Sequence, residues 1–261
     1  MAKRPTKYEL AKDWLRRYTN MPLDGFGDFI LLTNFSKYAE RFAEQFGCDL
    51  TSGAPMQAAT NGDGLTIVNF GIGSPNAALI MDLLSARQPK GVLFLGKCGG
   101  LKKSAEIGRF ILPIGAIRGE GTSDDYMPAE VPALPSFKLH KFVSQKLHAD
   151  KDARDYRTGV VFTTNRRLWE HDEEFLARLR NAGAIAIDME TATIFICGHK
   201  NQIARGALLL VSDFPITPDG VKSSESDRQV TKSWVDLHIR LGIESMTDIA
   251  KHGEEMRHFR Y

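Results

Sequence analysis

Two carboxylates set in apolar surroundings are the first residues to suggest chemistry. In AIAIDMETATI, Asp188 and Glu190 stand two residues apart at the end of a hydrophobic run, with Met189 between them. An ionised Glu190 at such a junction can accept hydrogen bonds from two vicinal sugar hydroxyls, and its charge suits the start of a helix. Met189 can lie against a sugar or a base. Both neighbours also have plain structural uses, Asp188 as a helix cap and Met189 as core filler. The second carboxylate is Asp213 in LLLVSDFP, held between an apolar strand and a turn containing Pro215. Partial burial raises a carboxyl's proton affinity, and an acid so tuned can protonate a leaving group. Capping an Asx-turn is the other reading of Asp213, and the residues alone leave the two open.

Basic residues and glycines stand nearby. Arg166 and Arg167 follow TTN, and Lys222 and Arg228 follow Asp213. A guanidinium fork suits a phosphate, although each of these also reads as solvated surface. FGIGSP and GKCGG both follow apolar runs, and Gly71, Gly73, Gly96 and Gly99 would let backbone N–H groups approach an anion or a sugar closely. Simple tight turns are the alternative. Neither segment is a dinucleotide or triphosphate loop. Position 76 is Asn where GxGxxG needs its third glycine, and GKCGG lacks the GxxxxGK[ST] spacing. Cys98 has no Cys/His pattern around it and reads as a small buried residue. HExxH and CxxC are absent, the seven histidines are scattered, and no metal or cofactor is expected. His140 and His148 are expected to face solvent and His171 to cap a helix.

These residues must be positioned by alternating strands and helices. Apolar runs predict strands at 29–34, from 65, at 91–100, 106–117, 158–165, 184–189 and 204–213. Helical patterns cover 7–19, 36–46, 76–87, 172–181 and 190–200, and the chain's last third reads as helix over 227–241 and 243–257. In the first helix, Leu10, Trp14, Leu15 and Tyr18 fall near one face. Residues 51–64 read as a loop or broken hairpin, and 118–136 and 214–226 as polar connections. The alternation fits one layered α/β domain with a mixed or mainly parallel sheet. Six strand ends carry polar or glycine residues: Thr33–Asn34, Gly71–Gly73, Gly96–Gly100, Thr163–Asn165, Asp188–Glu190 and Ser212–Asp213. Ligands of α/β sheets gather beyond the carboxyl ends of strands, so a shared pocket is expected there.

Composition narrows the class. The 261 residues are 43% hydrophobic and 25% charged with a net charge of +2, an ordinary globular balance without a nucleic-acid or membrane-surface signature. Three cysteines without paired spacing argue against a disulfide framework. There is no 18-residue apolar run and no signal-peptide core, and a cytoplasmic enzyme is expected.

Taken in order, RYTNMPLDGFGDFILLTNFSKY, TSGAPMQ, GLTIVNFGIGSPNA, FLGKCGGL, IGRFILPIGAIR, TGVVFTTNRRLWE, AIAIDMETATI and LLLVSDFP resemble the catalytic domain of bacterial AMP nucleosidases. The broader group is the purine nucleoside phosphorylases and related nucleosidases. The resemblance runs over about residues 12–257. It implies an α/β fold of three layers, α/β/α, around a mixed, partly closed central sheet. It implies a homo-oligomer, a hexamer built from dimers, with pockets near subunit boundaries and no nucleic-acid or membrane partner. One catalytic domain over 1–261 is expected, with a short helical segment at about 7–19 and no separate regulatory domain.

The same resemblance assigns roles. Asp213 corresponds to the residue that protonates purine N7, Glu190 to the ribose-hydroxyl ligand and Met189 to its sugar-contacting neighbour. Phe162 and Thr164 fall on the base-pocket strand. Lys97 stands where phosphorylases often carry a Ser for inorganic phosphate, which weakens a phosphorolytic reading. Arg167 or Arg166 is implied as the 5′-phosphate ligand, with Lys97, Arg118 and Lys37 as further candidates. The implied reaction is hydrolysis of AMP to adenine and ribose 5-phosphate. A phosphorylase using inorganic phosphate, an enzyme for another purine monophosphate and a non-catalytic nucleotide sensor are the alternatives.

Overall fold

The computed structural model describes residues 4–217, 220–221 and 224–251, without the side chains of 224, 226 and 227. Eight strands form one sheet: β1 (Phe29–Thr33), β2 (Gln57–Thr60), β3 (Leu65–Asn69), β4 (Gly91–Gly100), β5 (Phe110–Gly119), β6 (Arg157–Thr164), β7 (Ala186–Asp188) and β8 (Arg205–Asp213). Their order is β2-β3-β1-β4-β7-β6-β5-β8, and β8 also pairs with β4. Strands β4, β7, β6, β5 and β8 therefore close a ring, from which β1, β3 and β2 extend as an open wing. The pairing is mixed: β1, β3, β4 and β8 run parallel in register, while β7 meets the end of β4 in antiparallel fashion. The partly closed mixed sheet matches the expected class.

Strands buried on both faces read as continuous apolar runs, because each alternate side chain meets a different helical layer. Ile30 and Leu32 of β1 enter the same core as α3 (Ser74–Leu84) and α6 (Thr191–Lys200), together with Leu15 of α1 (Lys7–Thr19). Phe29 and Leu31 point the other way, toward α2 (Ser36–Phe46), α4 (Phe137–Ala149) and α7 (Ser224–Lys251). A third, smaller core gathers Phe162, Trp169 and Ile187 against α5 (Glu173–Asn181).

Several expectations need adjusting. Residues 57–69 are a true hairpin, with β2 antiparallel to β3. Helix α4 was not foreseen, although Leu139, Val143 and Leu147 recur at fourfold spacing and are all buried. The C-terminal pattern is one helix through Gly242, because that glycine lies against Leu95 of β4 with no room for a side chain. Residues 252–257 of the second expected segment lie outside the described residues. In α1 the buried stripe is Ala11, Leu15 and Thr19, whereas Leu10 and Trp14 each stay 39% exposed. The helix is well capped: the Thr6 side chain accepts from the Glu9 N–H, and the Glu9 carboxylate accepts from the Thr6 N–H. Helix α3 begins at Ser74, two residues before Asn76, because Gly73 at φ +97° caps it and Pro75 fits its first turn. The Asn76 side chain instead donates to the Ile72 carbonyl. His140 is half-buried rather than turned to solvent.

Candidate active site

All six polar strand ends contribute to one open pocket. Part of its lining is the junction of β7 and α6. Here Asp188 is the best-satisfied carboxylate in the region. Its Oδ1 accepts from the Thr163 hydroxyl at 2.7 Å, and its Oδ2 accepts from Thr191 N–H at 2.8 Å and from the Thr191 hydroxyl. The cap reading of Asp188 therefore describes its contacts. Thr163 is in turn held by the Ala192 N–H at 3.0 Å, which locks β6 to the first turn of α6.

Glu190 is buried beside it. Gly73 donates its N–H to Glu190 Oε1 at 2.8 Å, and Ser74 donates its hydroxyl to the Met189 carbonyl at 2.6 Å. The β3–α3 turn is thus tied to the β7–α6 turn. The positive φ angles of Gly71 and Gly73, +85° and +97°, make that approach possible. The Gly73 N–H consequently serves the carboxylate and not an incoming anion or sugar. Burial first, and then the charge of Asp188, push the Glu190 carboxyl up to about 8, against the pull of Gly73 and of the Asn34 amide. Burial also raises Asp188, while four donors favour its ionised form. With more donors on Asp188 than on Glu190, the shared charge sits on Asp188 and the shared proton on Glu190.

Asp213 ends β8 across the pocket, half-buried. The Ser212 hydroxyl donates to Asp213 Oδ1 at 2.6 Å, which leaves Oδ2 facing Gly99. A Cβ on Gly99 would lie 3.3 Å from that oxygen and 2.8 Å from Pro215 Cγ. Gly99 is required here because β8 and the following turn come too close for a side chain. The β4 bulge between Cys98 and Gly99 sits at the same point. Gly96 has another reason to be glycine: it lies inside β4, opposite Leu209, where the Phe94 ring fills the space of a side chain. It is a packing residue and not part of a turn.

The pocket brings some of the expected binding residues together and leaves others out. Met189, Thr164, Lys97 and Arg167 line it. Phe162 does not; it is buried behind the wall, edge-on to Phe175. Lys97 is buried with its Nζ 3.0 Å from Thr231 Oγ1 and 4.8 Å above the Phe35 ring. Arg167 is 57% exposed and donates to Glu170 Oε1 at 3.1 Å, while Glu170 Oε2 accepts from the Trp169 N–H. Arg166 turns away from the pocket, 2.8 Å from Asp172 and over the Phe175 ring. Arg118 is not at the pocket either. Its guanidinium binds Ser123, Asp124 and the carbonyls of Met127, Pro128 and Val131, which fixes its own loop. Lys37 is exposed on α2 and does not line the pocket, Arg228 is exposed on α7, and Lys222 lies outside the described residues. Asp172, rather than His171, caps α5.

Sequence reasoning gave no individual role to Asn34, Phe35, Ile72, Trp169, Glu170 or Ile187, all of which line the pocket. Asn34, Phe35 and Ile187 lie at or just after strand ends, whereas Ile72, Trp169 and Glu170 come from the loops after β3 and β6, where the residues carry no such signal. Among the described residues no helix is long and apolar enough to cross a membrane.

Comparison with known proteins agrees with this geometry. The profile of the Phosphorylase superfamily matches residues 28–246. The AMP nucleosidase of Escherichia coli K12 is 29% identical over 300 residues, covering 97% of this chain and 61% of that relative. The chain thus spans about six-tenths of that curated relative's length. A guanosine phosphorylase of Halorubrum lacusprofundi is also 29% identical, over 74% of this chain and 79% of its own. Among solved structures, an AMP nucleosidase from Bacteroides thetaiotaomicron superposes with a TM-score of 0.83 at 46% identity, covering 95% of this chain and all of that one. A uridine phosphorylase from Vibrio fischeri, at 20% identity and a TM-score of 0.77, shares the fold. The closed five-strand ring, the paired carboxylates at the β7–α6 junction and the acid ending β8 are therefore those of a chain that belongs to the Phosphorylase superfamily, alongside its AMP nucleosidases.

Proposed function

We propose that this chain hydrolyses the N-glycosidic bond of AMP, giving adenine and ribose 5-phosphate. The observation that carries the reading is that Glu190, Asp213 and Arg167 line one pocket, the two acids at the ends of β7 and β8, which both pair with β4. The 46% identity to an AMP nucleosidase supports the choice of substrate.

Cleavage of the C1′–N9 bond leaves positive charge on the sugar and negative charge on the base, and catalysis consists in stabilising both. Protonated Asp213 donates its proton to purine N7, so the electron pair of the broken bond settles in a neutral base. The Ser212 hydroxyl, 2.6 Å from Oδ1, holds the carboxyl in place beside Gly99. Glu190, in its ionised form, accepts from the 2′- and 3′-hydroxyls and faces the developing cation. Its burial makes that charge costly in the empty pocket; sugar hydroxyls supply the donors that favour it. Met189 packs on the sugar and Thr164 edges the base. Arg167, released from Glu170, is the ligand for the 5′-phosphate, with Lys97 as a second cation deeper in. Water attacks C1′ from the face opposite the base.

The reading extends to a cytoplasmic homo-oligomer, a hexamer built from dimers, whose size light scattering on the purified chain measures. Product chromatography tests the activity itself. AMP in phosphate-free buffer should yield adenine and ribose 5-phosphate, with adenosine turned over much more slowly. Turnover that requires inorganic phosphate and prefers adenosine would make the chain a phosphorylase.

A further inference from the structure

Among the described residues, two buried side-chain oxygens have no hydrogen-bond partner: Asn34 Oδ1 and Glu120 Oε2. They differ in place. Glu120 is buried under the turn at Thr122–Asp125, where its other oxygen accepts from Thr193 and from the Ser123 N–H, away from the pocket. Asn34 lines the pocket just after β1, beside Glu190. A buried carbonyl oxygen without a donor costs on the order of 1–3 kcal/mol, so its persistence in a cavity marks the place where a ligand donor arrives.

The orientation of the amide is fixed by its neighbour. Asn34 hydrogen-bonds to Glu190. The contact favours the ionised form of Glu190, so the Asn34 nitrogen is the donor and its oxygen faces elsewhere. That oxygen can receive only an O–H or N–H. On the sugar side of a bound nucleotide the O–H donors are the 2′- and 3′-hydroxyls and the nucleophilic water. In the proposed reading Glu190 already takes the two hydroxyls.

We propose that Asn34 Oδ1 accepts a hydrogen bond from the water that attacks C1′, holding it in line with the departing base. This rests on the hydrolytic reading of the pocket. A carboxamide is too weak a base to remove a proton near neutrality, so Asn34 orients and does not deprotonate. As the water oxygen bonds to C1′, the C1′–N9 electron pair passes to the purine, which takes the Asp213 proton. The attacking water, made strongly acidic by its new bond to C1′, loses one proton to solvent, and Asp213 regains one from solvent, so a single water is consumed. The amide then has two tasks: its nitrogen tethers the carboxylate that holds the sugar, and its oxygen aims the water.

The test is a substrate-deletion series on Asn34→Ala and Asn34→Leu, with AMP, 2′-deoxy-AMP and 3′-deoxy-AMP in phosphate-free buffer. Loss of one aligned hydrogen bond to the nucleophile is expected to lower kcat by about 100-fold. The KM for AMP should stay within about threefold, and the kcat loss should be the same factor on all three nucleotides. A loss that appears in KM, or that vanishes when one hydroxyl is removed, assigns Asn34 to that hydroxyl and overturns the proposal. So does a kcat within threefold of wild type. A crystal structure of the wild-type chain with a slowly cleaved AMP analogue reads the same point without a variant. A water on Asn34 Oδ1 and below C1′ is expected, and a sugar hydroxyl on that oxygen overturns it. Failure of the underlying reading looks different: the wild-type chain itself would then release no adenine from AMP, or would need inorganic phosphate.

Discussion

His238 and Glu190 are both buried ionisable side chains, and the contrast between them separates structure from function in this molecule. His238 sits on α7 in the core beneath β8. Its Nε2 donates to the Leu208 carbonyl at 2.9 Å, so its Nδ1 is the acceptor for the Tyr38 hydroxyl, also at 2.9 Å. The rings of Tyr38 and Phe110 pack against it. Burial drives its pKa down to about 3, and the neutral ring has no hydrogen-bonding capacity left. Glu190 is as deeply placed but has an open pocket in front of it and a charged neighbour behind it. One of its oxygens is held by Gly73, and the residue lines the pocket. Burial of a titratable group is therefore not a functional sign in itself. Unused hydrogen-bonding capacity on a cavity is.

Asp213→Asn separates the two regions most strongly. It removes the transferable proton while keeping the shape of the side chain, and AMP turnover is expected to fall about 1,000-fold or more with the fold and assembly unchanged. Steady-state kinetics with light scattering checks both halves. His238→Leu should do the reverse. Losing both hydrogen bonds of the His238 ring costs about 2–4 kcal/mol of stability in a urea melt. The turnover of the folded fraction should be unchanged, and a selective loss of kcat would give His238 a role that its saturated contacts deny.

Smaller effects sharpen the picture. Arg167→Ala is expected to raise the KM for AMP about 10-fold or more, through loss of a charge-assisted phosphate contact, while leaving adenosine nearly unaffected. Equal effects on the two substrates would remove Arg167 from the phosphate. The pH dependence of stability should carry opposite slopes from the two buried groups. His238 has a folded pKa below its unfolded value near 6.5, so the unfolded chain binds more protons between about 3 and 6.5 and this contribution falls as pH drops through that window. Glu190 has a raised folded pKa, so the native chain binds the extra proton and stability from this group declines as pH rises from about 4.5 to 8. In ligand-free protein, Glu190→Gln should abolish the second slope and leave the first. Thermal melts across that range read both.

The sequence showed the fold wherever one side chain type implied burial on both faces. FILL, VLFL and ALLLV are unbroken apolar runs, and each became part of a strand between two helical layers. The closure of the ring was not legible in the residues themselves, because it rests on β8 pairing with both β4 and β5, a long-range choice that no local pattern encodes. Helix α4 was missed because its three buried residues are separated by lysines and histidines that make the segment look like a polar connection. In the pocket, Glu190 and Asp213 stood out as acids against apolar strands. The identity of the pocket arginine did not, since Arg166 and Arg167 differ only in which acid each meets: Asp172 on the helix cap or Glu170 on the pocket wall. Asn34 was visible only as a strand end. Its importance comes from a three-dimensional fact, an oxygen with no donor beside a carboxylate 156 positions away.

The most direct test of the account is AMP cleavage in phosphate-free buffer by the wild-type chain and by Glu190→Gln, with folding of both checked by thermal melting. The expected result is release of adenine and ribose 5-phosphate by the wild type, and a loss of at least about 100-fold in the folded variant. Equal rates in the two proteins would contradict the assignment of the cavity-facing carboxylate to the sugar.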